Sequence, residues 1–447
     1  MNFGILDIAG IGAVALLVAA VVLLPMVLTD LAPSVRLAGK KRWLLAMALG
    51  MGVLAFAFKM AVIVSISTLP QVIIAPLVRG NVQTLPTADV LTADHFNVLA
   101  SSAQPAYVWQ ALPLQAPFPA DNPTTPEKVA LGERLFHDKA LSRDRTLACA
   151  SCHDVHGNAG VDSRATSLGI DGQVGSRNAP TVWNAAFQAV LFWDGRAPSL
   201  EEQAKGPPVN PAEMGMPSLD AVARRVADNP AYRAPFERAF GAGKPITIDR
   251  IAAAIAAYER TLITPDAPYD RFVRGDAKAL SAAQLRGMAL FQSLGCITCH
   301  SGPNFSGASL FDTTAPLRIF PANATPYDAR YGLTRDTGLA GPSSERGVWR
   351  IPSLRNVALT GPYFHNGSVT ELAEAVRIMA SAQVGRLTQD DPRPGRFVIW
   401  SGLDKVLSGV DRTALTDQQV DDIVAFLRGL TSDALAATAR RPGANRM

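Results

Sequence analysis

Two pentapeptides constrain this chain more than any other feature: Cys149-Ala150-Ser151-Cys152-His153 and Cys296-Ile297-Thr298-Cys299-His300. Each reads C-x-x-C-H. At this spacing two thiols bond covalently to the vinyl groups of one porphyrin, and the next imidazole ligates its iron. The chain has four cysteines, and all four lie in these motifs. A redox dithiol or half a zinc site would also use C-x-x-C. A zinc site assembled from Cys149, Cys152, Cys296 and Cys299 would leave the histidine after each pair incidental. The spacing therefore predicts two covalently bound haem c groups, one on each motif.

A chain of 447 residues expects two or three domains. Hydrophobic residues make up 48% of it, and the excess has a visible address. Ile8–Leu28 is almost wholly apolar, and Trp43–Thr68 is a second apolar run interrupted by Lys59. Each is long enough to cross a ~30 Å hydrocarbon core as a helix. A cleaved signal peptide fits the first run poorly, because Met1–Asp7 carries no positive charge. Lys59 lies near the far end of the second run, where its stem can snorkel to the interface. Arg36, Lys40, Lys41 and Arg42 between the runs place that loop in the cytoplasm and both chain ends outside. Covalent haem attachment on the outer face of a bacterial inner membrane gives the same orientation. The expectation is a transmembrane helical hairpin, residues 1–69, with the lipid bilayer as a partner and the haem domains in the periplasm. The formal net charge of +4 partly reflects the basic loop. Without aromatic and basic residues interleaved, it does not mark a nucleic-acid partner.

Residues 70–122, rich in proline, alanine and glutamine, read as an extended linker. Beyond it the patterns are helical. Lys128–Phe136 spaces apolar residues three and four apart ahead of the first motif. Helices are expected near Thr181, over Leu200–Ala204, and over Leu219–Phe236 with an interruption at Pro230. Ile248–Leu262, Ser281–Gln292, Glu371–Ser381 and Thr416–Leu430 follow, the last with Asp417 in a favourable first turn. Strand patterns are scarce. The fold class expected is all-α, with two c-type cytochrome domains, 123–275 and 276–447. Each encloses one haem, and both share the order helix, C-x-x-C-H, long loop, later helices.

What each iron does depends on its sixth position. A methionine there suits electron transfer, and an open face admits peroxide. Four histidines outside the motifs (His95, His137, His156 and His365) and ten methionines are candidates, and spacing alone does not choose among them.

Four further stretches carry a specific resemblance. They are Gly175-Ser-Arg-Asn-Ala-Pro-Thr181, Phe192-Trp-Asp-Gly-Arg196, Asn210-Pro-Ala-Glu-Met-Gly215, and Pro352 through Gly367, which includes Leu354-Arg355-Asn356 and Thr360-Gly361-Pro362-Tyr363-Phe364-His365. With both haem motifs in order, residues from about 126 to 431 resemble the bacterial di-haem cytochrome c peroxidase family, to which the maturation enzyme MauG also belongs. The resemblance implies that His153 is the proximal ligand of a peroxidatic haem and His300 that of an electron-transferring haem. It implies that Met379 fills the sixth position of the second haem, where MauG uses a tyrosine. It gives Trp193 the place of the tryptophan between the haems and Glu213 that of the distal acid–base group. It assigns Asn178, Thr360 and Pro362 to a calcium ion, whose preference is for oxygen donors. Arg355 is placed at a haem propionate or at the interface between the domains.

One departure matters. Many members of the family carry a histidine in the loop after the first haem, where it blocks the iron until the second haem is reduced. This chain reads Thr166-Ser-Leu-Gly-Ile-Asp-Gly-Gln173 there. The resemblance then implies a first haem that is open when fully oxidised, as in MauG, whereas Met379 points to the ordinary peroxidases. The activity implied is reduction of hydrogen peroxide to water with electrons from a small periplasmic cytochrome c or cupredoxin. Two alternatives are MauG-like oxidation of a protein substrate and a non-catalytic, membrane-tethered electron conduit docked to a membrane protein complex.

Overall fold

Helices in this chain start where the local sequence caps them. The computed structural model describes residues 107–311, 316–344, 346–385 and 415–439, all within one compact unit of the chain. Helix α1 (Pro126–Phe136) opens where the Thr125 side chain accepts the Lys128 N–H, with Pro126 in the first turn. The single turn α2 (Cys149–Cys152) carries the first motif. Next come α3 (Leu200–Val209), α4 (Leu219–Ala227), α5 (Arg233–Phe240) and α6 (Ile248–Glu259). Leu131, Leu135 and Phe136 of α1 pack with Ile251, Ile255 and Tyr258 of α6 in the core of this first lobe.

The second lobe repeats the scheme. After α7 (Pro268–Val273), α8 (Ala282–Ser293) opens with a capping box in which Ser281 and Gln284 satisfy each other's backbone N–H. It leads into a short 3-10 turn, Cys296–Thr298, that holds the second motif. Then follow β1 (Leu317–Phe320), α9 (Pro326–Tyr331), β2 (Gly347–Arg350), α10 (Leu372–Ile378), α11 (Asp417–Gly429) and α12 (Asp433–Ala439). Thr416 and Gln419 form a second capping box at α11. β1 and β2 pair antiparallel, with Leu317 opposite Arg350 and Phe320 opposite Gly347.

In both lobes the helix before the haem motif touches a later helix backbone to backbone, and in both a glycine makes that possible. A Cβ at Gly132 of α1 would lie 1.9 Å from the Ala254 carbonyl oxygen of α6. At Gly287 of α8 it would lie 1.8 Å from the Asp422 carbonyl oxygen of α11. Each glycine opens the same pattern, Gly-x-x-Leu-Phe: Gly132 to Phe136 and Gly287 to Phe291. The coarse duplication in the sequence is therefore a duplicated helix crossing.

The segment expected to be linker does more than connect, in its described part. Trp109 is buried in the second lobe's core among Tyr269, Phe305 and Phe426. The Leu112 N–H donates to Asp270 at 2.8 Å, and Arg274 donates to the Leu112 carbonyl. The chain then crosses to the first lobe, where Asn122 accepts from Lys128 and donates to Glu201 and to the Ala253 carbonyl. Residues 107–122 are a strap across both lobes.

Some expected elements differ. Around Thr181 the only helical turn is 3-10, Ala185–Phe187. α3 continues past Ala204 through Pro207 and Pro208, whose carbonyls accept the N–H groups of Met214 and Met216. The Leu219–Phe236 helix breaks at Asn229-Pro230 as expected, because Asn229 caps a new turn there. The segment after Ile378 is a π turn, Met379–Gln383.

The expectation of a transmembrane hairpin is withdrawn, and with it the inner-membrane location, the lipid bilayer as a partner and docking to a membrane complex through that hairpin. No helix among the described residues is long and apolar enough to cross a membrane. Even α11 has 13 residues, against the roughly 20 that a bilayer core requires. The apolar runs at 8–28 and 43–68 that carried this expectation lie outside the described residues, as does His95.

Candidate active site

Each motif presents its histidine in the same way. The His153 Nδ1 lies 3.3 Å from the Gly160 carbonyl oxygen, and the His300 Nδ1 lies 3.1 Å from that of Phe305. A backbone carbonyl at Nδ1 accepts a hydrogen bond from the Nδ1–H, fixing the tautomer that leaves Nε2 bare to ligate iron. Burial keeps both rings neutral, lowering the pKa of His153 and bringing that of His300 down to about 4. Burial also pushes the Cys149 and Cys296 thiols up to about 12. Two buried N–H donors without partners stand close by. They are Nε1 of Trp183, which packs against Gly160, and Nδ2 of Asn304, four residues past His300. Paired thiols, a bare imidazole nitrogen and an unsatisfied donor in each lobe fit one covalently held haem apiece.

Glu213 stands on the turn that follows α3, in the first lobe. Its Oε1 accepts from Asn210 Nδ2 at 2.7 Å, and the Glu213 N–H donates to the Asn210 carbonyl. Burial raises the pKa of Glu213, with Arg196 and the Asn210 hydrogen bond pulling the other way. The loop that lacks a histidine packs directly on this turn. The Ile170 N–H donates to the Glu213 carbonyl at 2.8 Å, and Ile170 itself is buried. Gly169 permits the approach, since a Cβ there would lie 1.9 Å from the Ala212 carbonyl oxygen. An apolar side chain of this loop thus packs on the turn, where a Cβ at Gly215 would lie 2.1 Å from Ile170 Cδ1. His156 does not turn toward it, because its ring stacks on His137 at 5.6 Å on the exposed surface.

Trp193 is fixed from several sides. Its indole N–H donates to the Asn178 carbonyl at 2.8 Å, and its own carbonyl accepts the Arg350 N–H of β2 at 2.7 Å. Asn178 in turn donates its N–H to the His365 carbonyl and its side-chain amide to the Arg164 carbonyl. The buried His365 ring stacks on Trp349 at 4.1 Å and meets Trp193 nearly at right angles at 6.5 Å. Arg177 lies over the Trp349 ring and bridges Asp194 and Asp336. Trp193 and Asn178 are therefore brought together, and His365 joins them as a ring partner.

Arg355 is wholly buried and committed to Asp270 and the Pro303 carbonyl. Its Nη1 and Nη2 reach the two Asp270 oxygens at 2.6 and 2.9 Å, and its Nε reaches Pro303 at 2.8 Å. Asp270 is an unforeseen member of this site, with no motif around it to point to. Met379 is half-buried at the start of the π turn after α10. Such turns recur at functional positions because they re-aim a side chain within a helix. Among the described residues no group of three or more His, Cys, Asp or Glu side chains is arranged to hold a metal ion. The calcium set of Asn178, Thr360 and Pro362 contains none of these residue types. Within it the Thr360 hydroxyl donates to the Val357 carbonyl, and Asn178 keeps its bonds to His365, Arg164 and Trp193.

Comparison with known proteins agrees with the arrangement. Residues 126–278 match a family model described as di-haem cytochrome c peroxidase, and residues 284–431 match cytochrome c. The chain is 43% identical over 293 residues to the cytochrome c551 peroxidase of Pseudomonas aeruginosa, covering 64% of this chain and 82% of that one. It is 36% identical over 350 residues to the methylamine utilization protein MauG of Paracoccus denitrificans, covering 68% and 88%. Among solved structures, a MauG-like protein associated with microbial copper homeostasis superposes with a TM-score of 0.59 at 32% identity, over 74% of this chain and 98% of that one.

Proposed function

This chain belongs to the bacterial di-haem cytochrome c peroxidase family, which includes MauG, and from that premise we propose that it reduces hydrogen peroxide to water with electrons from a small periplasmic cytochrome c or cupredoxin. That it is an oxidoreductase of the peroxidase type follows from the family itself. The observation that carries the finer reading is Glu213, a half-buried carboxyl whose pKa burial raises and whose orientation Asn210 fixes, on a turn against which the loop 166–173 lays Ile170.

When bound, an open-faced haem supplies peroxide binding and O–O cleavage, and a haem with two protein ligands supplies one-electron transfer. The protein's own part is to place and protonate. His153 Nε2 is presented by the Gly160 carbonyl for the first iron, and His300 Nε2 by the Phe305 carbonyl for the second. Glu213 takes the proton from the inner oxygen of hydrogen peroxide and delivers one to the leaving oxygen, which departs as water. A carboxyl with a raised pKa suits both halves of that exchange, because it releases and recovers a proton nearer neutrality. Ile170 packs on the turn that carries the carboxyl. Trp193 offers an indole to carry an electron between the lobes, with its N–H tied to Asn178 so that the ring stays in place. Met379 would complete the second iron, and Cys149, Cys152, Cys296 and Cys299 would anchor the two porphyrins. The oxygens of Asn178, Thr360 and Pro362 remain the candidate calcium ligands. Chelation followed by the same assay tests that part of the reading.

The loop 166–173 favours a second reading. With Ile170 where a blocking histidine would come, a haem held there would be open to peroxide without prior reduction, as MauG-like oxidation of a protein substrate would use. Stopped-flow mixing of the fully oxidised protein with peroxide, with and without reduced cytochrome c, tests both. A rapid Soret change followed by donor oxidation is the result expected of a peroxidase. A Soret change with no donor oxidation transfers the assignment to protein oxidation. An unchanged spectrum overturns both.

A further inference from the structure

The two proximal histidines are held by the carbonyls of unlike residues. In the first lobe the carbonyl belongs to Gly160, at a φ of 77° that glycine adopts freely. In the second it belongs to Phe305, at a φ of 49°. A bulky residue in that left-handed region is strained, and it stays there only where its surroundings hold it. The second lobe therefore needs a clamp that the first does not.

Arg355 is that clamp. Its guanidinium lies over the Phe305 ring at 5.3 Å and over the Tyr269 ring at 5.1 Å. Its Nε and Nη2 both donate to the Pro303 carbonyl, at 2.8 and 2.5 Å, two residues before the strained position. Behind it, Asp270 engages Nη1 and Nη2 with one carboxylate oxygen each. Each of those oxygens also accepts a backbone N–H, Oδ1 from Leu112 of the strap at 2.8 Å and Oδ2 from Ala267 at 3.1 Å. Both side chains are shut off from solvent, so water cannot replace a lost partner. A planar fork that grips a carboxylate and a carbonyl together is beyond the reach of a lysine.

We propose that Asp270, acting through Arg355, is a positioning residue for His300. It holds loop 303–305 in the strained shape that aims the Phe305 carbonyl at Nδ1, and so sets the orientation and donor strength of the imidazole. This rests on the reading of His300 as ligand of the second iron. A hydrogen bond at Nδ1 raises the basicity of Nε2, which favours ferric over ferrous iron. Loosening the clamp weakens that bond and makes the second haem easier to reduce, with the first haem left as it was. The fixed imidazole thus keeps the second haem able both to accept an electron and to pass it on.

The test is a spectroelectrochemical titration of both haems in the full holoprotein, with low-temperature EPR of oxidised samples and calorimetry. Asp270→Asn and Arg355→Lys are each expected to change the g-values of the second haem's low-spin signal. Each is also expected to favour its reduction about tenfold, an upward shift of about 59 mV for one electron. The first haem's midpoint should hold. Arg355→Lys keeps the charge and loses the fork, so it separates geometry from charge. Asp422→Asn controls for packing damage, because it breaks the Arg286–Asp422 pair between α8 and α11 of the same lobe. It is expected to lower Tm and leave the second haem's signal and midpoint in place. A shift in Asp270→Asn with none in Arg355→Lys assigns the effect to charge and overturns the positioning. An equal shift in Asp422→Asn assigns it to general loosening and does the same. Unchanged signal and midpoint in both clamp variants overturn the positioning alone. His300→Ala should abolish the second haem's low-spin signal, and its survival there overturns the ligand reading and the positioning together.

Discussion

The two haem lobes are built on one plan and finished differently. Both run a glycine-notched helix into C-x-x-C-H, and both cross that helix against a later one at a backbone contact, Gly132 on Ala254 and Gly287 on Asp422. Both hold the proximal imidazole through a carbonyl. The surroundings then diverge. The first lobe's core is largely aliphatic along α1 and α6, and it sets a titratable carboxyl, Glu213, on a turn covered by Ile170. In the second lobe Phe291, Phe305, Phe426, Tyr269 and Trp109 crowd together, with ring centroids 4.9 to 6.2 Å apart among the contacting pairs. The contrast fits the proposed function, in which bond-breaking needs a proton-carrying group and electron transfer needs a rigid, polarisable surround.

The sharpest way to break this contrast is Glu213→Gln. Peroxide reduction is expected to fall by about 10²–10⁴-fold, with haem content by pyridine haemochrome unchanged. In the wild type the rate should decline as pH falls through the Glu213 pKa, because the base form is lost on protonation. Burial places that midpoint above the ordinary 4.5. A rate of wild-type size in the glutamine variant would erase the first lobe's distinction.

Asp270→Asn probes the second lobe. It would leave the buried Arg355 guanidinium without its counter-charge, and breaking a buried ion pair from one side costs about 3–5 kcal/mol. Calorimetry should show the loss as a lower Tm, and an unchanged Tm would mean the pair does not tie α7 to the Arg355 loop. Met379→Leu is expected to change the second lobe's iron alone. Its low-spin ferric EPR signal should give way to a high-spin one, and donor-driven turnover should fall roughly tenfold, equivalent to about 1.4 kcal/mol of barrier. Persistence of the low-spin signal would show that another side chain fills that position.

The smallest effect concerns Glu259, a buried carboxyl of α6 with an unpartnered Oε2. Burial brings its pKa up to about 8 from 4.5, with Arg260 opposing and Glu201 adding. The folded state therefore holds a proton that the unfolded state has released between those values, and stability falls as pH rises through that window. Glu259→Gln should flatten the fall in Tm, and an equally steep fall in the variant would assign the dependence elsewhere.

The covalent chemistry was legible because four cysteines in two identical spacings leave few other uses. α6, α8 and α11 were legible for a local reason as well: Thr247, Ser281 and Thr416 cap runs with clear apolar periodicity. The strap was not legible. Trp109 and Leu112 sit in a proline-rich stretch whose partners, Gln292 and Asp270, lie 183 and 158 residues away, and local pattern carries no trace of such pairings. Arg355 was seen as a conspicuous cation, but its partner Asp270 could be found only once α7 was placed beside the loop at Pro303. The hairpin expectation rested on two apolar runs and the basic loop between them, all outside the described residues, while the helices of the described fold are too short to span a bilayer.

The strap also fixes an order of events during biogenesis. Trp109 is synthesised before either haem motif, yet its berth is completed by Phe426 near the far end of the chain. Such distant pairing is slow to form. Closure of the strap is therefore a late step, complete only in a chain that has been synthesised through Phe426.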